Sequence, residues 1–165
     1  MKKKKLMFCS LVALIMAFVM AMPMTASAAR NVAKDGDMEY ATLDEAVAAA
    51  KDGDTITLLA STSIDKNLII QKDITLNLAG QTLLANANIQ AEKQLNITDT
   101  NGGKIILQQD KTQKGNNSVS VISKGSDAKI TLEKGSVLVV GSFDTGYAFY
   151  ARDGGTIIVN GGTVE

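Results

Sequence analysis

One short grammar recurs along the chain, and it constrains the fold more than any other feature. Ile74-Thr75-Leu76-Asn77-Leu78-Ala79-Gly80-Gln81-Thr82-Leu83 reads as strand, polar turn with glycine, strand. Ile97-Thr98-Asp99-Thr100-Asn101-Gly102-Gly103-Lys104-Ile105 repeats it with one extra residue, and Ile130-Thr131-Leu132-Glu133-Lys134-Gly135-Ser136-Val137 repeats it again. Ile157-Ile158-Val159-Asn160-Gly161-Gly162-Thr163-Val164 is the fourth instance, so the starts fall at 74, 97, 130 and 157, in steps of 23, 33 and 27. A repeat of this length marks a solenoid, in which each unit buries its apolar face against its neighbours. The unequal steps exclude a leucine-rich array and suit a parallel β-helix, because turns can lengthen while stacked strands stay about 4.8 Å apart. Ile56, Leu58, Ile74, Leu76, Ile97, Ile130, Leu132 and Ile157 are the expected inward stacks, and Asn77 and Asn160 fall where turn amides bond between rungs. An antiparallel sandwich uses the same residues and is the competing architecture.

The N-terminus reads as a targeting segment. Lys2 to Lys5 precede an almost wholly apolar run from Leu6 to Met22, and Ala26-Ser27-Ala28 supplies small residues at cleavage spacing. Residues 1–29 are therefore expected to be a secretory signal peptide, which makes the protein secreted, extracellular or on the cell surface, with the membrane met only through that segment. A retained anchor is the competing reading, at the lower length limit for a spanning helix. Cleavage removes the single Cys, the single Pro and six of seven Met, and leaves 13 basic residues against 17 acidic, a net charge of −4. Such a chain cannot rely on disulfides, and it lacks the basic stripe that nucleic acid requires.

After a lead-in at 30–39, residues 40–53 predict one helix. Thr42 and Glu45 form a capping box, Leu43, Ala46, Val47 and Ala50 share a face, and Lys51-Asp52-Gly53 supplies a stop. The helix is too short to stand alone. Placed just before the first strand, it reads as a lid over the first rung, whose backbone and apolar side chains would otherwise be exposed. Residues 54–165 then read as short strands bounded by Gly, Asn and Asp, without a C-terminal cap. That open end makes self-association, or continuation through the last rung, an expectation.

Tyr40-Ala41-Thr42-Leu43-Asp44-Glu45-Ala46-Val47, Asp52-Gly53-Asp54-Thr55-Ile56-Thr57-Leu58 and the element from Ile74 to Leu83 together resemble the opening of pectin-lyase-like right-handed β-helices. They resemble in particular the versions in large bacterial surface and adhesin-like proteins, over about Tyr40 to Leu84. The resemblance implies an all-β, right-handed parallel β-helix with a short N-terminal capping helix. It leaves function open, since this fold carries lyases, hydrolases, adhesins and inert stalks alike.

The chemistry available is narrow. The chain has no His, and no Cys after residue 29, which excludes Ser/His/Asp and Cys/His catalysis and nearly excludes a zinc site. Lyases of the resembled fold use a basic residue and acid-bound Ca²⁺, and glycosidases need paired carboxylates. Arg152, Asp153 and Asp144 are the one cluster with those ingredients, although Arg152-Asp153 before Gly154-Gly155 equally fits a solvated turn. Asp99, Asn101 and Asp110 offer oxygen ligands for Ca²⁺ without the spacing of a Ca²⁺ loop. Four of the five aromatics after residue 29 cluster as Phe143, Tyr147, Phe149 and Tyr150. If Tyr147 and Phe149 share a face they make a carbohydrate platform; the alternative is strand packing. The polar stretch from Gln108 to Ser118 lengthens one turn. The expected function is a non-catalytic structural or adhesin-like module without cofactor, contacting extracellular glycans or a host surface. The alternative is the front of a polysaccharide lyase or glycoside hydrolase.

Overall fold

The computed structural model describes residues 30–108, 119–140 and 147–165. Three sheets hold about half of them. In sheet A, β15 (Thr156–Val159), β12 (Lys129–Leu132), β9 (Gln94–Thr98), β6 (Ile74–Asn77) and β3 (Thr55–Leu58) are parallel neighbours, and β1 (Ala33–Asp35) and β2 (Met38–Tyr40) extend the sheet antiparallel beyond β3. Sheet B holds β16 (Thr163–Val164), β13 (Ser136–Val140), β10 (Lys104–Gln108), β7 (Thr82–Ala85) and β4 (Thr62–Ile64). Sheet C holds β14 (Phe149–Arg152), β11 (Val121–Lys124), β8 (Ile89–Ala91) and β5 (Leu68–Ile70). From β3 onward the chain visits A, B and C in rotation, and each strand pairs in parallel with the strand three further on. This is an all-β solenoid-like stack, and it removes the antiparallel sandwich.

The core is a set of aliphatic columns inside the coil. Alternation along each strand sends every second residue inward, and the register lines these up turn on turn. Ile56, Leu76, Ile97 and Leu132 form one column, and Ile74, Leu95, Ile130 and Ile157 form the next. All but Ile157 are buried, and Ile157 packs partly buried against them in the last described turn. Sheet B contributes Leu83, Ile105 and Val137, and sheet C contributes Leu68, Ile89 and Val121. Each fully buried Leu or Ile is worth about 1.5–3 kcal/mol.

The repeat is framed differently from its sequence appearance. Ile74 pairs with Leu95, Leu95 with Ile130, and Ile130 with Ile157, so the starts are 74, 95, 130 and 157. Ile97 belongs two residues further on, opposite Leu76. A slip of two keeps the same face inward, which is why Ile97 is still a core residue.

The N-terminal end is also corrected. The lead-in is an antiparallel hairpin: β1 pairs with β2 and with β3, closing through Gly36 at φ 55°. The hairpin, not the helix, covers the backbone edge of β3. Helix α1 spans Leu43–Ala49 rather than 40–53, with Thr42 as N-cap and both capping-box bonds to Glu45 made at 3.2 Å. It buries Leu43 and Ala46 and packs against β1, β2 and β3. It ends at an extended Ala50 whose carbonyl takes the Lys72 ammonium from the following turn of the coil. Gly53, at φ 92°, instead serves the turn into β3 and donates to the Asp73 carbonyl at 2.6 Å. Among the described residues no helix is long and apolar enough to cross a membrane.

The column model makes a direct test. Leu95→Ala is expected to lower unfolding stability by about 2–5 kcal/mol. Asn96→Ala, one residue along but on the outer face, should cost no more than ~0.5 kcal/mol. Urea denaturation of the two variants measures both; equal losses would contradict the inward–outward alternation.

Candidate functional site

The outer face of sheet C gathers polar and aromatic side chains from four separate parts of the chain. In β11, Val121 and Ser123 face inward, so Ile122 and Lys124 face out. Register then places Ile69, Gln90, Ile122 and Tyr150 in one outer row, and Lys124 beside Arg152 in the next. Gln71 and Glu92, each one residue past the paired Ile70 and Ala91, continue that second row.

Glu92 is the hub. Its carboxylate accepts from the Gln71 amide at 3.0 Å and the Gln90 amide at 2.9 Å, and the Lys124 ammonium lies 3.7 Å away. The Gln71 hydrogen bond is the largest influence on its pKa; with Lys124 and Gln90 it outweighs desolvation and holds Glu92 below the usual carboxylate range. Arg152 reaches across β11 and donates to Gln90 Oε1 on β8 at 2.9 Å. Next to this network the rings of Tyr147 and Tyr150 stack with centroids 5.8 Å apart and planes 26° apart. Tyr147 is 56% exposed and Tyr150 44%. The backbone under them is held: Ser120 Oγ donates to the Tyr147 carbonyl at 2.6 Å, and the Val121 amide donates to the Ala148 carbonyl at 3.0 Å.

Such a strip presents aromatic faces for C–H groups beside carboxamide, guanidinium, ammonium and carboxylate groups for hydroxyls. At its far end an open groove lies between α1 and β5, lined by Val47, Leu68, Ile69, Gln71 and Lys72 among others.

The aromatic expectation is altered in one respect. Tyr147 pairs with Tyr150, not Phe149, because Phe149 lies in register with Val121 and packs partly buried against the core. Of the proposed basic and acidic cluster, Arg152 ends β14 on the sheet face and Asp153 sits in the following turn at φ 55°. Asp144 lies outside the described residues, as do Asp110 and Phe143.

Asp99 has a different task from cation binding. It is only 5% exposed, and its carboxylate accepts backbone N–H groups from Gly80 at 2.7 Å, Asn101 at 2.9 Å and Gly102 at 2.6 Å, with Gly103 as a further donor. Both oxygens are thus turned to donors. Asn101 meets Asp99 through its backbone N–H. No group of three or more His, Cys, Asp or Glu able to hold a metal occurs among the described residues. The oxygen-bearing side chains suggested a ligand set because turn carboxylates look alike in sequence; the lack of a Cβ at Gly103, where one would meet Asp99 Oδ1 at 2.5 Å, is the better signal of a backbone nest.

No protein-family model, no curated protein and no solved structure matched the chain in the comparisons made.

Burial pushes the Asp99 carboxyl up, but the backbone donors together outweigh it and hold it below its ordinary value. A depressed folded pKa stabilises above the unfolded value and is lost as pH falls through the folded one. Asp99→Asn turns an NH₂ toward backbone donors and is expected to cost about 2–3 kcal/mol near neutral pH. The gap to wild type should shrink below about pH 4, and urea midpoints at acid and neutral pH read both effects.

Proposed function

We propose that this chain is a secreted or cell-surface module, a right-handed parallel β-helix of the pectin-lyase-like kind, that binds extracellular glycans without catalysis. The observation that carries the reading is the stacked, exposed Tyr147–Tyr150 pair beside the Gln90–Arg152 bond on the outer face of sheet C. Exposed aromatic rings on a rigid sheet suit sugar faces, and flanking amides and charges suit hydroxyl recognition. The parallel three-sheet stack supports an extended, stiff carrier for such a surface. The opening residues Tyr40 to Leu84 support the family reading, and Lys2 to Ala28 support export.

Binding to a panel of extracellular polysaccharides, read by affinity electrophoresis, tests the proposal. Tyr147→Ala and Tyr150→Ala are each expected to weaken retardation about tenfold, the equivalent of ~1.4 kcal/mol, with thermal unfolding unchanged. Retardation that survives both substitutions would refute a site on this face. Incubation of the parent with the bound polysaccharide distinguishes the lyase or hydrolase reading: cleavage abolished by Arg152→Ala in a folded variant would replace binding with catalysis.

A further inference from the structure

The N-terminal hairpin is fastened to the coil through two carboxyl groups. Ala33 and Asp35 lie on one face of β1, and Ala33 is fully buried, so Asp35 is on the coil side as well. On β3, Ile56 faces inward, and Asp54, two residues earlier, continues that face. Asp35 is in register with Ile56, which makes Asp54 its diagonal neighbour. Diagonal neighbours in an antiparallel pair are about 7–8 Å apart at Cα, so the shared face and the register bring the two carboxyl groups within reach of each other.

Asp54 is pinned in place. Its Oδ2 accepts the Lys51 N–H at 2.6 Å, and its carbonyl accepts the Thr75 N–H at 2.9 Å. The surrounding charges do little to relieve the pair. On the other face of β1, Lys34 lies between Glu39 of β2 and Thr57 of β3, while Met38 is the β2 residue opposite Asp35. In the turn after α1, Lys51 is close enough for its charge to favour ionised Asp35, while the Asp52 carboxylate accepts the Asp73 N–H at 2.9 Å. From the β5–β6 turn, the Lys72 ammonium is bonded to the Ala50 carbonyl.

We propose that Asp35, facing Asp54 across the β1–β3 pair, is a proton-operated clasp, which holds the hairpin on β3 when Asp35 is protonated and slackens it when Asp35 is ionised. Two facing carboxylates in a half-buried site cannot both carry charge without repulsion. Burial first, then the hydrogen bond to Asp54 and its charge, raise the Asp35 carboxyl above its ordinary value, and Lys51 opposes this only in part. The sign follows. An acid with a raised folded pKa stabilises the fold less as pH climbs through that value. The hairpin is therefore tighter in mildly acidic medium than at neutral pH, opposite in direction to Asp99.

Hydrogen exchange of the purified chain tests the clasp. The reporters are the Val32 amide, which donates to Tyr40, and the Leu59 amide, which donates to Val32. After correction for intrinsic rates, their protection should fall between about pH 4.5 and about pH 7, tenfold for each unit by which Asp35 is raised. The Leu78 and Glu133 amides, which bond between later turns of the coil, should not change. Asp35→Asn keeps the shape without the charge, and its hairpin protection should be flat across that range and higher than wild type at pH 7; Asp54→Asn serves if that variant does not fold. Flat wild-type protection, a pH slope retained in the variant, or the same slope at Leu78 and Glu133 would each overturn the clasp.

Discussion

Backbone pairing between one turn of the coil and the next is the constraint from which the other features follow. Each strand from β3 to β13 has a parallel partner three strands later. That register stacks Ile74, Leu95, Ile130 and Ile157 into a column, where alternation alone would only have sent them inward. The corners must stack as well, at the same spacing of about 4.8 Å. Between sheets A and B this brings Leu78, Asp99, Gly103 and Gly135 together, so closely that a Cβ at Gly103 would lie 2.6 Å from that of Leu78. Glycine is needed there for space. The buried carboxylate of Asp99 then gathers the backbone donors that such a tight corner leaves over.

Much of this was legible because inward residues carry a strong periodic signal. Ile56, Leu58, Leu76 and Leu132 were readable as core from alternation alone, and the capping box at Thr42 and Glu45 from spacing alone. What failed did so for physical reasons. Two-residue slips preserve the face, so the repeat could be misframed at Ile97 without penalty to the core assignment. Strands such as Thr62–Ile64 and Ile89–Ala91 are three residues long, too short for periodicity to register. The hairpin was hidden by the polar side chains of Lys34 and Glu39, although Asp35-Gly36-Asp37 carried a tight-turn signal. The helix stop was assigned to Lys51 when the cation that meets its C-terminal end is Lys72, brought by the fold and not by sequence proximity.

The candidate site was less legible still. Clustering singled out Tyr147 and Tyr150, and Arg152 was named as the basic member of a cluster with Asp153 and Asp144, but the strip they belong to is assembled across the coil. Gln71, Gln90, Glu92 and Lys124 have no local pattern that sets them apart; they meet because the strand register between successive turns, unequal in length, returns them to one face. Asp99 looked like a cation ligand because sequence shows its charge and hides the four backbone donors that satisfy it.

The spacing of the corners has a consequence for how such a protein can diversify. Early in the coil the passage from sheet B to sheet C is brief, from Ile64 to Leu68 and from Ala85 to Ile89. Later it widens, from Gln108 to Val121 and from Val140 to Phe149, while the strands on either side keep their partners. Lengthening an excursion of this kind costs little, since closure entropy grows only with the logarithm of its length. Both wide passages lead into strands of sheet C, β11 and β14. The frame thus separates the strands, whose positions the register fixes, from the connections, whose length it leaves open.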